Sequence, residues 1–372
     1  MSMIIGDIDS ILINLCDLES DYFNLMCTNK YYHNLIINNA LFMEWNKYHI
    51  QVKKERNKEK LFIKSCDLGL LLLAKYLVSK YDINIHAFNE DAFRWSCSKG
   101  HFDVAKWLID LSQKPNFTLI DIRASKAFQF SCEYGYLDIA KWLIDLSRQP
   151  GFTSINIHAD NEYAFIFSCN RGHLDVAKWL INLSKQPNFS LIDIHVDNEA
   201  VFRYSCLNGH LDVAKWLFDL SQQVGFTLID IHADNECAFK YSCLHGHLDV
   251  AKWLIDLSKK PGFTLINIHV DNERAFMYSC LYGHLDVAKW LIDLSQESNF
   301  GLIDIHINND IIYTQSHKNG HHDVTKWLID LSWQPNFMPI YIPYDNKTIF
   351  IISSSILAVG ISALFMLNQL KN

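Results

Sequence analysis

A phrase repeated in register along most of the chain is the feature that most restricts its fold. Each copy reads close to GHLDVAKWL and carries one tryptophan, with a first step of 35 residues and later steps of 37. A weaker copy lies earlier, at 66–77. Fixed periods of this length are typical of stacked supersecondary units, and about eight units fill residues 60–338. The tryptophans are Trp107, Trp142, Trp179, Trp216, Trp253, Trp290 and Trp327.

Each unit reads as a helix, a tight turn, a second helix and an extended loop. In one copy, Asn161 is predicted to cap the first helix, Glu162 to suit its positive first turn, and Gly172 to end it in the left-handed conformation. The second helix is predicted over 174–184, and 189–195 alternates as an extended segment does. Because one hairpin cannot bury its apolar side alone, copies must stack. The sequence therefore predicts an all-α solenoid of helix-turn-helix repeats with extended inter-repeat loops.

The unit resembles the ankyrin repeat, most clearly at residues 172–181, GHLDVAKWLI. It departs from that family at 163–166, where YAFI replaces the usual Thr-Pro-Leu-His start, and in its longer loop. Long arrays with a nearly fixed GHLDVAKWLIDLS phrase are similar to ankyrin proteins of giant DNA viruses of amoebae. The resemblance implies a hairpin stack that works as a non-enzymatic protein–protein interaction scaffold.

Two columns of positions vary between copies while the core positions stay constant. The resemblance implies binding through the loop tips and the first-helix face, where these columns should lie. Aromatic residues and arginine, which recur in them, are enriched in protein interfaces. The alternative is that both columns are exposed and unconstrained. The candidate partner-binding residues are Arg94, Gln129, Ile166, Arg203, Lys240 and Met277 in the first column and Lys99, Tyr134, Arg171, Asn208, His245 and Tyr282 in the second.

Charge and spacing argue against several other functions. The net charge of −8 without a basic tract disfavours nucleic acid as a partner. Histidine recurs once per repeat in most loops and turns, which predicts hydrogen bonds to local backbone, since a metal needs several ligands around one ion. His317, His321 and His322 form the only local cluster, which is a weak metal signal. No catalytic, cofactor or metal motif is recognisable, and the repeated tryptophans are expected in the core rather than in a ligand-stacking row. The repeated cysteines are predicted to be small buried residues, not disulfides: Cys97, Cys132, Cys169, Cys206, Cys243 and Cys280.

The N-terminal residues 1–50 do not follow the repeat. Their order of Ile11-Leu12, Leu15, Asp21 and a Cys-x-x-Lys segment starting at Cys27 resembles an F-box, although the Leu-Pro that opens that family is absent. The resemblance implies docking to a Skp1-type adaptor of a ubiquitin ligase. The alternative is a helical cap that shields the first repeat. Residues 51–60 are predicted to be a charged connector.

The C-terminal residues 348–367 form a run of about twenty residues without a charge, enough to span a bilayer as a helix. A Pro-containing tether, 339–347, precedes it. The run predicts a membrane anchor that leaves the repeats on the cytosolic face, in a host cell if the protein is viral. The alternative is a cap helix on a soluble cytoplasmic protein, although a cap should have a polar outer side.

Overall fold

The computed structural model describes residues 57–123 and 126–340. These residues hold sixteen helices and no strand, which confirms the all-α prediction. No helix in this part of the chain combines the length and the apolar character needed to cross a membrane. The segments 1–50 and 348–367, for which an F-box or cap and a membrane anchor are predicted, lie outside the described residues.

The chain divides into two compact units, Met1–Asp230 and Ile231–Asn372. In the described residues the helices pair as eight hairpins, five in the first unit and three in the second. Those of the first unit are α1 Lys58–Asp67, α2 Leu71–Lys80, α3 Ala87–Ser98, α4 Phe102–Ser112, α5 Ala127–Glu133, α6 Leu137–Ser147, α7 Ala159–Asn170, α8 Leu174–Ser184, α9 Val196–Leu207 and α10 Leu211–Ser221. Those of the second are α11 Ala233–Leu244, α12 Leu248–Ser258, α13 Val270–Leu281, α14 Leu285–Ser295, α15 Ile307–Lys318 and α16 His322–Ser332.

The second helix of each hairpin follows the predicted amphipathic pattern. In α8, Ala177, Leu180 and Ile181 recur at helical spacing and are buried, while Asp175 and Lys178 are exposed. Burial of a leucine or isoleucine side chain stabilises the fold by about 1.5–3 kcal/mol. A closely similar stripe recurs in the second helices of the other hairpins, so its burial contributes to the stability of each of them.

The first helix does not begin as the sequence predicts. Asp160, Asn161 and Glu162 all have left-handed backbone angles, with φ of 54°, 58° and 61°, and no side chain caps the helix. The prediction of Asn161 as an N-cap is therefore wrong, because its side-chain amide instead donates to Asp197 of the next repeat at 3.0 Å. A left-handed non-glycine residue costs roughly 1–2 kcal/mol. The three residues at the start of this helix therefore need stabilising contacts with their surroundings.

A histidine–glutamate pair supplies that support. His158 Nδ1 lies 2.7 Å from Glu162 Oε1, and the same oxygen accepts the Asp193 N–H at 3.3 Å. The other ring nitrogen of His158 lies 2.9 Å from the Ser190 hydroxyl. The buried carboxylate thereby joins the start of α7 to the loop that follows α8. The same pair recurs as His86–Glu90, His195–Glu199, His232–Glu236 and His269–Glu273.

Adjacent hairpins share an aromatic core. Phe165 in α7 is fully buried, and its ring lies 6.4 Å from that of Trp216 in α10, the second helix of the next repeat. The tryptophans are half-buried at the edge of this core and contact the phenylalanine of the preceding copy. The prediction that the tryptophans belong to the core is therefore confirmed for only one side of each ring. The equivalent pairs are Phe62–Trp107, Phe93–Trp142, Phe128–Trp179, Phe239–Trp290 and Phe276–Trp327.

In most hairpins the turn glycine lies against an aromatic or histidine ring of the next repeat. Gly172 has φ of 77°, and a Cβ on it would lie 2.6 Å from Nδ1 of His210. His101 occupies the same position against Gly69 and hydrogen-bonds the Asp67 carbonyl, 34 residues earlier, at 3.0 Å. The expectation that turn histidines bond local backbone is therefore wrong for His101, which bonds the preceding repeat.

Candidate protein-interaction surface

The second variable column forms the last residue of each first helix. Each of its members is the C-cap residue that directly precedes the turn glycine. A side chain at this position points away from the core because the helix ends there. Tyr134 is half-buried, and the other five are exposed: Lys99, Arg171, Asn208, His245 and Tyr282.

Three members of this column stack on one another in the first unit. The Arg171 guanidinium lies 4.8 Å from the centre of the Tyr134 ring, and Lys99 Nζ lies 5.9 Å from it. Cations at these distances are attracted to the electron-rich face of the ring. The column is therefore a continuous Lys–Tyr–Arg ladder across three repeats rather than a set of separate side chains.

A buried carboxylate holds the arginine of this ladder in place. Glu133 is 5 % exposed and accepts from Arg171 at 2.6 Å and 3.1 Å. Its second oxygen accepts the Tyr163 hydroxyl at 2.6 Å. Burial, together with this bond to a carboxylate, raises the pKa of Tyr163. The guanidinium is thus fixed before any partner arrives, which lowers the entropic cost of binding.

Glu133 and Tyr163 were not among the residues predicted from the sequence. A signal existed, since five other copies have serine, asparagine or leucine at the position of Glu133, and only the first and last copies have a charged residue there, Asp67 and Lys318. A carboxylate that replaces leucine on a first helix needs a cationic or hydroxyl partner when it is buried.

The rest of the column differs between the two units. In the first unit, the Asn208 amide donates to the Tyr204 carbonyl at 2.9 Å and to the Asn170 side chain. In the second unit, the His245 ring lies 6.2 Å from that of His247, and Tyr282, which is 59 % exposed, meets Tyr278 edge to face. The column therefore presents polar, charged and aromatic groups that change from one copy to the next.

The first variable column mostly serves the array itself. Gln129, Ile166 and Lys240 are buried, so the expectation of an exposed column is wrong at these positions. Gln129 donates to Asp160 at 3.0 Å, and Lys240 pairs with Asp271 at 2.6 Å, in each case in the next repeat. These side chains vary in chemistry because each is matched to its neighbour.

The remaining members of the first column are half-buried. Arg94 pairs with Asp91, and Arg203 donates to the carbonyls of Asn198 and Asp197 in its own repeat. Met277 is half-buried. The surface available to a partner is therefore carried mainly by the second column.

The buried thiols and the histidines show no arrangement for chemistry. Eight cysteines in the described ranges are buried and free, as predicted for small core residues. Burial raises the pKa of the Cys66 thiol to about 12 and raises that of Cys97 further, so both stay protonated and are poor nucleophiles. Within residues 57–123 and 126–340, no group of three His, Cys, Asp or Glu side chains is placed to hold a metal ion.

The stacked hairpins, their glycine turns and the exposed C-cap column define a helical repeat scaffold. Three overlapping stretches, 61–152, 128–227 and 221–307, match the family model described as Ankyrin repeats (3 copies). These matches cover more than half of the chain, which therefore belongs to the ankyrin repeat family. The family model describes a repeat, not a catalytic domain. A search of the curated proteins finds no match.

Proposed function

We propose that the protein is an interaction scaffold that holds a protein partner on the second variable column. The observation that carries this proposal is the Lys99–Tyr134–Arg171 ladder of the first unit, in which half-buried Tyr134 and exposed Arg171 offer aromatic and cationic anchors. In the second unit, Tyr282 is a further exposed aromatic side chain of the same column. Tyrosine and arginine are the residues most often found to dominate binding energy at protein interfaces.

The test is affinity capture with the full chain and two matched triple variants. Arg171→Ala, His245→Ala and Tyr282→Ala together remove three column side chains. Lys141→Ala, Lys178→Ala and Lys215→Ala remove three exposed lysines from second helices and serve as the control. A partner lost only by the column variant supports the proposal. Equal capture by both variants contradicts it.

We further propose that residues 348–367 tether the scaffold to a membrane and leave the repeats in the cytosol. The support is the run itself, which is uncharged and long enough for a bilayer of about 30 Å. If the resemblance to viral arrays extends to the source, the membrane is that of the infected host. Membrane fractionation of the chain with and without residues 347–372 tests the tether, and recovery of both forms in the soluble fraction contradicts it.

The alternative function is that of a substrate-recruiting adaptor of a Skp1-type ubiquitin ligase. Its support is the order of residues in the N-terminal segment, including Asp21 and Cys27. In this case the repeats hold the target while the segment docks to the adaptor. Purified Skp1-type adaptor should bind the full chain and not a chain without residues 1–50. Absence of binding to the full chain removes the alternative.

A further inference from the structure

An open groove lies between the first helices of the first two hairpins. Its volume is about 490 Å³, and side chains of α1 and α3 line it. Phe88 and Trp95, which are 58 % and 37 % exposed, present apolar surface along one side, and Ile63 lies opposite them on α1. These three residues form the apolar floor of the groove, and Lys60, Lys64 and Lys99 also line it.

The apolar floor is specific to this pair of repeats. Four later copies have aspartate where this one has Phe88: Asp160, Asp197, Asp234 and Asp271. Two of these aspartates close the gap to the preceding first helix. Asp160 accepts from Gln129, and Asp271 accepts from Lys240.

Between the first two repeats, Ile63 and Phe88 take the place of that polar tie, and the gap stays open as a groove. Phe88 also has left-handed backbone angles, with φ of 56°, which a phenylalanine adopts at a cost. The equivalent aspartates of the four later copies share this backbone conformation, so what distinguishes Phe88 is its exposed aromatic ring beside Trp95. Adjoining exposed apolar side chains favour contact with another molecule.

The charge around the groove is positive. Lys64 is neutralised by Asp67 at 2.6 Å, and Asp91 by Arg94. In contrast, across residues 57–123 and 126–340 no carboxylate lies within ion-pair distance of Lys60 or Lys99. Two ammonium groups that have no carboxylate partner among the described residues complement a ligand that has carboxylates on both sides of an apolar group.

We propose that this groove binds an acidic segment of a protein partner that inserts one apolar side chain between Ile63, Phe88 and Trp95. The proposal rests on the scaffold function above and gives one part of the partner its chemistry. Carboxylates of the segment pair with Lys60 and Lys99, which belongs to the second column, so the groove is the N-terminal end of the same surface. A polyphosphate backbone fits less well because it has no apolar side chain to cover Ile63, Phe88 and Trp95.

The test measures fluorescence anisotropy of the full chain with a fluorescein-labelled peptide of glutamate and serine around one central leucine. We expect saturable binding that weakens as salt is raised, because exposed charges are screened beyond about 10 Å at 0.1 M salt. Replacing the leucine by alanine should weaken binding, and replacing the glutamates by lysine should abolish it. An oligonucleotide of equal length is measured in the same assay as the alternative class of ligand.

Three variants locate the binding. The double variant Lys60→Glu, Lys99→Glu should lower the affinity for the peptide by about tenfold or more, because the reversed charges at the rim of the groove repel the ligand. Phe88→Asp restores the residue found in four later copies, so it keeps the fold and removes the apolar floor. The control is Lys178→Glu, which reverses an exposed charge on α8 and should leave binding unchanged.

The outcomes are distinct from those of the scaffold test. Unchanged peptide affinity in Phe88→Asp and in the double lysine variant overturns the groove, and so does tighter binding of the oligonucleotide. Zero-length cross-links between Lys60 or Lys99 and an acidic residue of 1–56 would also overturn it, since the chain would then fill its own groove. If partner capture through the column persists in these cases, the scaffold function stands without the groove.

Discussion

Replacing one turn glycine by alanine measures how closely neighbouring repeats pack at the hairpin turn. Gly246 has φ of 77°, and a Cβ there would lie 2.5 Å from Nδ1 of His284 in the next hairpin. Gly320 occupies the equivalent turn with φ of 85°, but a Cβ there meets nothing within 4 Å. The two glycines therefore share the backbone requirement and differ only in the contact.

The expected energies follow from this difference. The left-handed conformation costs alanine roughly 1–2 kcal/mol relative to glycine, and this cost applies to both Gly246→Ala and Gly320→Ala. Forcing a methyl group into the packed contact adds about 1–3 kcal/mol. Gly246→Ala should therefore lower the free energy of unfolding by about 2–5 kcal/mol, and Gly320→Ala only by the backbone cost of about 1–2 kcal/mol.

A double-mutant cycle with His284→Ala separates the two contributions. Removing the ring frees the space that the methyl group needs, so the double variant should regain about 1–3 kcal/mol of the predicted loss. Urea unfolding followed by tryptophan fluorescence gives the free energies, and native-state hydrogen exchange localises the change to α11–α14. Equal losses for Gly246→Ala and Gly320→Ala, or a coupling near zero, would show that this contact does not constrain the stack.

Three further predictions follow from buried contacts. Phe165→Ala should cost about 3–5 kcal/mol, because the side chain is fully buried against Trp216; urea unfolding measures the loss, and one below 1 kcal/mol contradicts the assigned core. Burial lowers the pKa of His269, but its bonds to a carboxylate and to backbone raise it above the ordinary value overall. Its stabilising effect is therefore complete below about pH 6.5 and is lost as the pH rises through the folded pKa, which an NMR titration of the ring tests against His269→Gln. Lys240→Met should raise the pKa of Asp271, which the bond to Lys240 holds below its usual range; an unchanged carboxyl titration refutes this pairing.

The local architecture could be predicted because it repeats. An apolar segment, a turn glycine, an amphipathic stripe at helical spacing and a loop indicate the same hairpin in each copy, and the second helix of the 160–195 copy lies at 174–184 as predicted. The burial of the constant Phe165 and Cys169 also follows, since a position that is apolar in every copy belongs to the shared core. The C-cap column was predicted to be exposed because its residues vary between copies, and all of its members except Tyr134 are exposed.

The first variable column shows where this reasoning stops. Gln129 and Lys240 look like exposed, unconstrained polar residues in the sequence, yet both are buried and bonded to aspartates 31 residues away. Variation between copies indicates only that a position does not pack in the common core. It cannot distinguish a free surface from a contact whose two partners change together.

The sequence by itself determined the repeat, the hairpin and the constant core, since these depend on the order of residues within one unit. Tertiary structure decided which variable residues face solvent, how His101 fits against the glycine of the preceding turn, and where Phe88 opens a groove. The physical reason is distance along the chain. Contacts between residues about one repeat apart depend on how one hairpin packs on the next, and local propensity does not encode that geometry.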